Sequence, residues 1–144
     1  MWRDFLFKNT VMKATAKVER EIGEKNFSCY MDVVSEGCSV LGTGNSAKSA
    51  MEDMLKGWED MRDCLVSEGR DVPELEIEYI FDIGSLFSYY DFLNLSGVSR
   101  EIGLNPSVVR QYVIGTRKPS EERKRKIADG IERLARKIQT VHLY

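Results

Sequence analysis

The sequence predicts an α+β protein in which a small strand-strand-strand-helix-strand module precedes an all-helical domain. Two patterns lead to this prediction. Up to Ile83, segments in which every second residue is apolar flank one long segment of three- and four-residue apolar spacing, whereas beyond Ile83 the spacing is helical throughout. With 42% apolar residues, 31% charged residues and three prolines among 144 residues, the chain has the composition of a folded globular protein.

Three strands are predicted before the first helix. Residues 13–21 alternate apolar and polar side chains and residues 27–33 repeat that period, which predicts a hairpin with its turn at residues 22–26. Residues 39–41 predict a short third strand. The glycines of residues 42–45 (GTGN) predict a sharp connection rather than a phosphate-binding loop, because the Gly-Lys-Ser/Thr of such a loop does not follow.

A long amphipathic helix and a fourth strand complete this module. Ser46 is predicted to cap the helix, whose apolar spacing continues to Leu65, while Gly69 ends it and Pro73 prevents it from resuming. Residues 74–81 (ELEIEYIF) alternate strictly, with the glutamates on the solvent side of the predicted strand. A small sheet with one helix packed on it is the simplest way to bury these faces.

The second half of the chain predicts two crossed helices joined by a tight turn. Ser85 is predicted to cap a first helix. In the following helix, Val98 and Ile102 are four residues apart beside the small Ser99, where another helix must approach closely, and Gly103 ends the helix.

The next helix is predicted from its ends. Asn105 can cap it, and Pro106 occupies its first position, where a missing N–H costs nothing. Val109 and Tyr112 are three residues apart and are predicted to face inward, and Gly115 is predicted to end the helix. The residues between and beside the inward pair are therefore predicted to lie on or near the outer surface.

The last helix follows a basic loop at residues 116–120, with Ser120 as its predicted cap and acidic residues in its first turn. Apolar residues then recur at 4-3-4-3 spacing. This stripe predicts either pairing with a second copy of the chain or closure of the helical core. Its members are Ile127, Ile131, Leu134, Ile138 and Val141.

The exposed part of the Asn105-capped helix is a candidate DNA-reading surface. The N-terminal turn of such a helix enters the major groove, where Ser107 and Gln111 are the best candidates for base contacts. Arg110 is predicted to contact a base or a phosphate, and Arg117 and Lys118 are predicted to contact phosphates, unless they form only a solvated basic loop. The candidate DNA-binding residues are Asn105, Ser107, Val108, Arg110, Gln111, Arg117 and Lys118.

Charge divides the chain into two unlike parts. Residues 1–84 hold 10 basic and 17 acidic residues, a net charge of −7, and residues 85–144 hold 11 basic and 6 acidic residues, a net charge of +5. This asymmetry predicts that the second part meets a polyanion, while the first part meets a different partner, for example a basic protein.

Residue types argue against catalysis and against a metal site. The single histidine, His142, is close to the C-terminus and is a poor general base for a nucleophile. The three cysteines have neither the pairing of a disulfide framework nor the spacing of a zinc site. No catalytic residue, metal ligand or cofactor is therefore predicted, and the cysteines are expected to be reduced thiols in the cytoplasm.

The start of the chain carries no targeting pattern. Residues 1–11 lack the apolar core and small-residue cleavage site of a signal peptide, and Met12 is a candidate natural start. No apolar stretch approaches the roughly 20 residues that cross a bilayer, so no membrane association is expected.

Residues 98–120 resemble the helix-turn-helix of the phage-repressor or Xre class. In this resemblance Ser99 is the small residue of the first helix of the motif, Gly103 is the turn glycine, and Val109 and Tyr112 are the inward pair. The closing Gly-x-Arg-x-Pro-Ser pattern corresponds to residues 115–120. The resemblance implies that the helix after Gly103 is a recognition helix.

The chain as a whole resembles the HicB antitoxin family from residue 12 to residue 139. The matching features are residues 27–32 (FSCYMD), the pair Gly37 and Cys38, residues 41–44 (LGTG) and residues 46–51 (SAKSAM). The resemblance implies a HicB-like domain at residues 12–83, with a partial ribonuclease-H-like fold that lacks catalytic carboxylates. It implies an Xre-type DNA-binding domain at residues 84–141.

The resemblance implies an antitoxin that neutralises a small basic HicA-type toxin, which cleaves messenger RNA, and that represses the shared operon by binding operator DNA. A homodimer or higher homo-oligomer is expected, because one module of this size reads few base pairs. A stand-alone regulator without a toxin is the alternative. An enzyme of ribonuclease-H-like fold would instead need clustered carboxylates that hold a divalent metal.

Overall fold

A computed structural model gives the structure of residues 11–33 and 36–144, a mixed four-stranded sheet and five helices. The strands are β1 (Val11–Glu19), β2 (Phe27–Val33), β3 (Cys38–Gly44) and β4 (Glu74–Phe81). The helices are α1 (Ala47–Ser67), α2 (Ile83–Tyr89), α3 (Leu95–Glu101), α4 (Pro106–Ile114) and α5 (Glu121–Gln139). The α+β class and the element order predicted from the sequence are confirmed. The predictions about residues 1–11 concern, except for Val11, positions outside the described residues.

The strand order in the sheet is β3-β2-β1-β4. β2 is antiparallel to β1 and to β3, as expected for strands joined by short turns, whereas β4 is parallel to β1 and reaches its place through α1. β4 pairs with β1 over its whole length, from Glu74 opposite Val11 to Phe81 opposite Val18. β3 and β4 are therefore the two edge strands among the described residues.

A first hydrophobic core lies between the sheet and α1. Ala16 and Val18 of β1 and Cys29 and Met31 of β2 are completely buried, because the predicted alternation directs every second side chain to the helix side. Met54 and Trp58, from the apolar face of α1, cover them. α1 lies over β3 and β2 and has few contacts with β1. We refer to the sheet and α1 together as the sheet layer.

The prediction that residues 42–45 form a connection is wrong for residues 42–44, because β3 continues to Gly44. The glycines serve close packing rather than a turn. A methyl group on Gly42 would overlap the backbone of Ala50 and Met54 in α1, so only glycine allows the helix to lie directly on this strand. The predicted cap is confirmed: the Ser46 hydroxyl accepts a hydrogen bond from the Ser49 N–H at 3.1 Å.

A second hydrophobic core holds α2 to α5 together. We call these four helices the helical part. The buried members of this core are Val98, Ile102, Leu104, Val109, Tyr112 and Ile127. The inward positions predicted for α3 and α4 are confirmed. The two glycines predicted to end these helices, Gly103 at φ 77° and Gly115 at φ 87°, have left-handed backbone conformations.

The predicted cap of α2 is wrong. Asp82, not Ser85, caps this helix and accepts a hydrogen bond from the Ser85 N–H at 2.8 Å. Ser85 is buried, and its hydroxyl donates to the Val18 carbonyl at 2.6 Å, so the sheet layer fixes its position. Both residue types cap helices well, and a contact between residues distant in sequence decides between them.

The apolar stripe of α5 has two different environments. Ile127 is buried, and Ile131 and Leu134 are packed against the second core, so this part of the stripe closes the helical part. Ile138 and Val141 are exposed. Gly130 allows the close approach to α3, because a methyl group there would overlap the side chain of Ile102.

Candidate nucleic-acid interface

α4 is built so that one side is fixed and the other is free. The Asn105 side-chain oxygen accepts a hydrogen bond of 2.9 Å from the Ser107 N–H, and Pro106 occupies the first turn, where no N–H is needed. Val109, only 1% exposed, and Tyr112, 6% exposed, anchor the helix in the second core. The opposite side of α4 is thereby directed to solvent.

Three of the sequence-predicted base or phosphate contacts lie on this outward side. Ser107, Arg110 and Gln111 are exposed, and their side chains form no hydrogen bond or ion pair with another described residue. Asn105 is also exposed, but its carbonyl oxygen is engaged in the cap. Val108 is half-buried against the second core and offers only part of its surface.

The turn after α4 brings the basic loop to the end of the same helix. The N–H groups of Gly115 and Thr116 both donate to the Gln111 carbonyl at 3.1 Å, which closes the last turn. Arg117 and Lys118 follow directly and are exposed. The structure therefore places the whole set of sequence-predicted DNA contacts on α4, at its cap and in the turn that follows it.

Lys118 already has a carboxylate partner. Its Nζ lies 2.9 Å from Oε2 of Glu21, which follows β1 in the sheet layer. The hydrogen bond and charge of Lys118 lower the pKa of the Glu21 carboxyl, and the same contact with Glu21 raises the pKa of Lys118. Arg117 has no such ion pair within the described ranges, so the two basic residues of the loop are not equivalent.

The C-terminal end of α4 is attached to the sheet layer by Arg20. Its Nη2 donates to the Val113 carbonyl at 2.6 Å, and its guanidinium lies 4.6 Å from the centre of the Phe27 ring. The backbone N–H of Arg20 donates to Asp82, the cap of α2, at 3.1 Å. One residue at the end of β1 thus contacts both α2 and α4.

Sequence reasoning did not identify Arg20 or Glu21. The alternation of residues 13–21 predicted both as the last residues of the first strand, whereas β1 ends at Glu19, and their partners are 93 and 97 residues away along the chain. Local sequence patterns do not indicate contacts between residues so far apart in the chain. The one related feature of the sequence is the charge asymmetry: the first part of the chain has an excess of acidic residues and the second part an excess of basic residues, as an ion pair between the two parts requires.

α5 adds further positive charge to the helical part. Its first half carries exposed basic residues at consecutive positions, of which Lys124 is paired with Glu121 at 2.9 Å. Two more basic residues near its end, Arg136 and Lys137, form ion pairs with Glu132 and Glu101. The basic side chains without an ion pair among the described residues are Arg123, Arg125, Lys126 and Arg133.

Comparison with known proteins returns no match: no protein-family model, no curated protein and no solved structure is similar to this chain. Among the described residues, no helix combines the length and the apolar character needed to traverse a bilayer. In the same ranges, no three His, Cys, Asp or Glu side chains are grouped closely enough to share a metal ion.

Proposed function

We propose that this chain is a DNA-binding repressor in which α3 and α4 act as a helix-turn-helix and α4 is the recognition helix. The observation that carries the proposal is the division of α4 into a side buried through Val109 and Tyr112 and a side exposed through Ser107, Arg110 and Gln111. A helix held by the core on one side and free along the other is what insertion into a major groove requires.

Each exposed residue has a role in this proposal. Gln111 pairs with an adenine edge and Ser107 with a neighbouring base, while Arg110 contacts a guanine or a phosphate. Arg117 contacts the phosphate backbone and contributes affinity without sequence preference. Lys118 contributes less until its contact with Glu21 is released, because a nearby carboxylate repels a phosphate.

We propose further that the protein is a HicB-type antitoxin, whose sheet layer binds a small basic HicA-type toxin while the helical part represses the shared operon. Support comes from the resemblance of residues 12–139 and from the net charge of −7 over residues 1–84. Such a charge attracts a basic protein at long range and speeds its association. In this proposal the chain has no catalytic activity of its own.

DNA binding is tested by selecting binding sites from randomised duplexes and then titrating the best site with salt in a gel-shift series. Gln111→Ala is expected to lower the preference among sequences, with little change in the salt dependence. Arg117→Ala is expected to weaken binding to every duplex and to reduce the salt slope by about one phosphate contact. Identical behaviour of the two variants, or no binding by the wild-type chain, would overturn the assignment of α4.

The antitoxin role is tested in the native genome context. Expression of a neighbouring short reading frame that encodes a small basic protein is expected to arrest growth, and coexpression of this chain is expected to restore it. A neighbouring protein without toxicity, together with normal operator binding, would favour a stand-alone regulator instead.

A further inference from the structure

Among the described residues, β4 forms one edge of the sheet. Its hydrogen-bonded neighbour is β1, and among the described residues no strand lies on its other side. An eight-residue strand with a free edge presents a row of backbone N–H and C=O groups that can accept another strand. The opposite edge, formed by β3, contains two glycines, and Leu41 is its exposed apolar residue.

The inner face of β4 is apolar and only partly covered. Tyr79 and Phe81 lie beside Ala16 and Val18 of β1 in the sheet register, yet the β1 residues are completely buried and the β4 residues are half-buried. The cause is the position of α1, which lies over β3 and β2 and leaves the β4 side open. Leu75 and Ile77 share this half-covered face.

Aromatic rings extend this face beyond the end of the strand. The Phe81 ring is stacked on Tyr89 at 5.5 Å between centroids, Tyr89 contacts Tyr90 at 4.9 Å, and Tyr90 contacts Phe92 at 6.0 Å. Phe92 is 79% exposed. The strand face and the rings form one continuous apolar strip, of the kind that marks interaction sites.

The outer face of β4 carries three glutamates followed by the exposed Ile80. Glu74, Glu76 and Glu78 alternate with the apolar residues and are exposed, and none of them forms an ion pair with a described residue. A partner strand on this edge would therefore meet apolar side chains on one face and a row of carboxylates on the other.

From these features we propose that the free edge of β4 binds an extended segment of a partner protein in which lysine or arginine alternates with apolar residues. Such a segment completes the sheet, extends the apolar inner face and pairs its cations with the three glutamates. A second copy of β4 is a poor occupant, because its own glutamates would face this row. The inference rests on the partner-binding part of the proposed function and specifies the surface and the chemistry of that partner.

The experiment uses the full chain and a fluorescent peptide of about eight residues, the length of β4, in which lysine and valine alternate. One control peptide replaces every valine with serine and keeps the charge. A second replaces every lysine with glutamate and keeps the apolar face. The lysine-valine peptide is expected to bind roughly tenfold tighter than either control, because only it satisfies both faces of the edge.

Two matched variants locate the charge effect. The triple variant Glu74→Gln, Glu76→Gln and Glu78→Gln is expected to weaken binding about tenfold. The triple variant Glu59→Gln, Asp60→Asn and Asp63→Asn removes the same charge from the exposed face of α1 and is expected to change binding by less than about twofold. Phe92→Ala is expected to weaken binding several-fold without affecting the fold, since its side chain is largely exposed.

Backbone amide exchange then identifies the edge. Bound peptide is expected to slow exchange in β4 and to leave β3 unchanged. The proposal is overturned by protection of β3 instead, by equal binding of the lysine-serine peptide, or by equal loss in the two triple variants. Protection of the β4 edge that appears without peptide at high protein concentration would assign the edge to a second copy and would also overturn it.

Failure of this inference and failure of the proposed function can be distinguished. The peptide assay contains neither DNA nor a toxin, so Gln111→Ala is expected to bind the peptide normally. A confirmed toxin partner with no peptide binding would remove this surface alone. Peptide binding without any toxin in the genome context would remove the antitoxin role and retain the surface.

Discussion

The guanidinium of Arg20, at the end of β1, donates a hydrogen bond of 2.6 Å to the carbonyl of Val113 in the last turn of α4. Carbonyls in this turn have no donor within their own helix, and a positive charge there also interacts favourably with the negative end of the helix dipole. The Arg20 side chain extends from the end of the sheet to α4, with its guanidinium over the Phe27 ring. The sheet layer therefore supports the proposed recognition helix directly.

Replacing Arg20 is expected to destabilise the whole chain rather than the sheet alone. Arg20→Ala removes a charged hydrogen bond and the packing on Phe27, so the free energy of unfolding is expected to fall by about 1–3 kcal/mol in urea titrations. Lys13→Gln is the control, because Lys13 is an exposed residue of β1, the strand that Arg20 follows, and is expected to change the value by less than about 0.5 kcal/mol. Equal effects would show that the contact contributes nothing.

The ion pair of Glu21 with Lys118 predicts a variant that binds DNA better. Glu21→Gln removes the carboxylate that lies 2.9 Å from Nζ, which frees Lys118 for a phosphate. Affinity is expected to rise several-fold at about 0.1 M salt, and the gain is expected to shrink as salt increases. Gel-shift titrations measure both effects.

The control for this variant is Glu24→Gln, which makes the same change in net charge at a nearby exposed position. A general effect of charge would raise the affinity of both variants equally, and the idea of a masked lysine would then be wrong. In the Lys118→Gln background the extra gain from Glu21→Gln is expected to disappear.

The close contact between β3 and α1 predicts an intolerant glycine. Gly42→Ala places a methyl group against the backbone of Ala50 and Met54, which cannot move as a flexible side chain would. The free energy of unfolding is expected to fall by about 1–3 kcal/mol or more. Gly97→Ala is the control, because its nearest neighbours are side-chain atoms of Asn94 at 3.5 Å and beyond. An equally stable Gly42→Ala variant would contradict this packing.

How far the sequence predicts this structure depends on the range of the contacts involved. β2, β4 and α4 were predicted with their observed starts, because alternation, Asn105 and Pro106 act within a few residues. Gly42 was interpreted as a turn, since its real constraint is a helix that arrives from elsewhere in the fold. Local sequence patterns cannot show which distant element packs directly against a glycine.

The same limit applies to the candidate site. Ser107, Arg110 and Gln111 could be predicted as outward because Val109 and Tyr112 define the inward side of a regular helix. The partners Arg20 and Glu21 could not, because only the folded chain brings the end of β1 beside α4. Sequence patterns thus predict the face of a helix, and the tertiary structure decides what lies next to it.

Cys29 and Cys64 are expected to react with a thiol reagent at very different rates. Cys29 is completely buried, and burial raises the pKa of its thiol to about 11, so at about pH 8 the reactive thiolate is scarce as well as inaccessible. Cys64 is exposed. A chromogenic disulfide reagent is expected to label Cys64 rapidly in the native chain and Cys29 only after unfolding. Cys64→Ser is expected to abolish the fast phase, and rapid native labelling of Cys29 would show that the first core opens readily.

Because one end of the apolar stripe of α5 is buried and the other is exposed, substitutions at the two ends are expected to affect different properties: stability at the buried end and self-association at the exposed end. Ile127 is 3% exposed inside the second core, so Ile127→Ala is expected to lower the free energy of unfolding by about 2–4 kcal/mol. Ile138 is 60% exposed and has no role in that core, so Ile138→Lys is expected to leave the unfolding of the monomer nearly unchanged.

Ile138→Lys is instead expected to act on self-association, because the exposed end of the stripe is free to pair with a second copy. Sedimentation velocity is expected to show a wild-type dimer that becomes monomeric in this variant, together with weaker binding to a two-half-site duplex and unchanged binding to a single half-site. The exposed Gln139→Lys variant adds the same charge one residue further along and is the control. If Ile138→Lys remains dimeric, the copies associate elsewhere and this end of α5 has no part in the assembly.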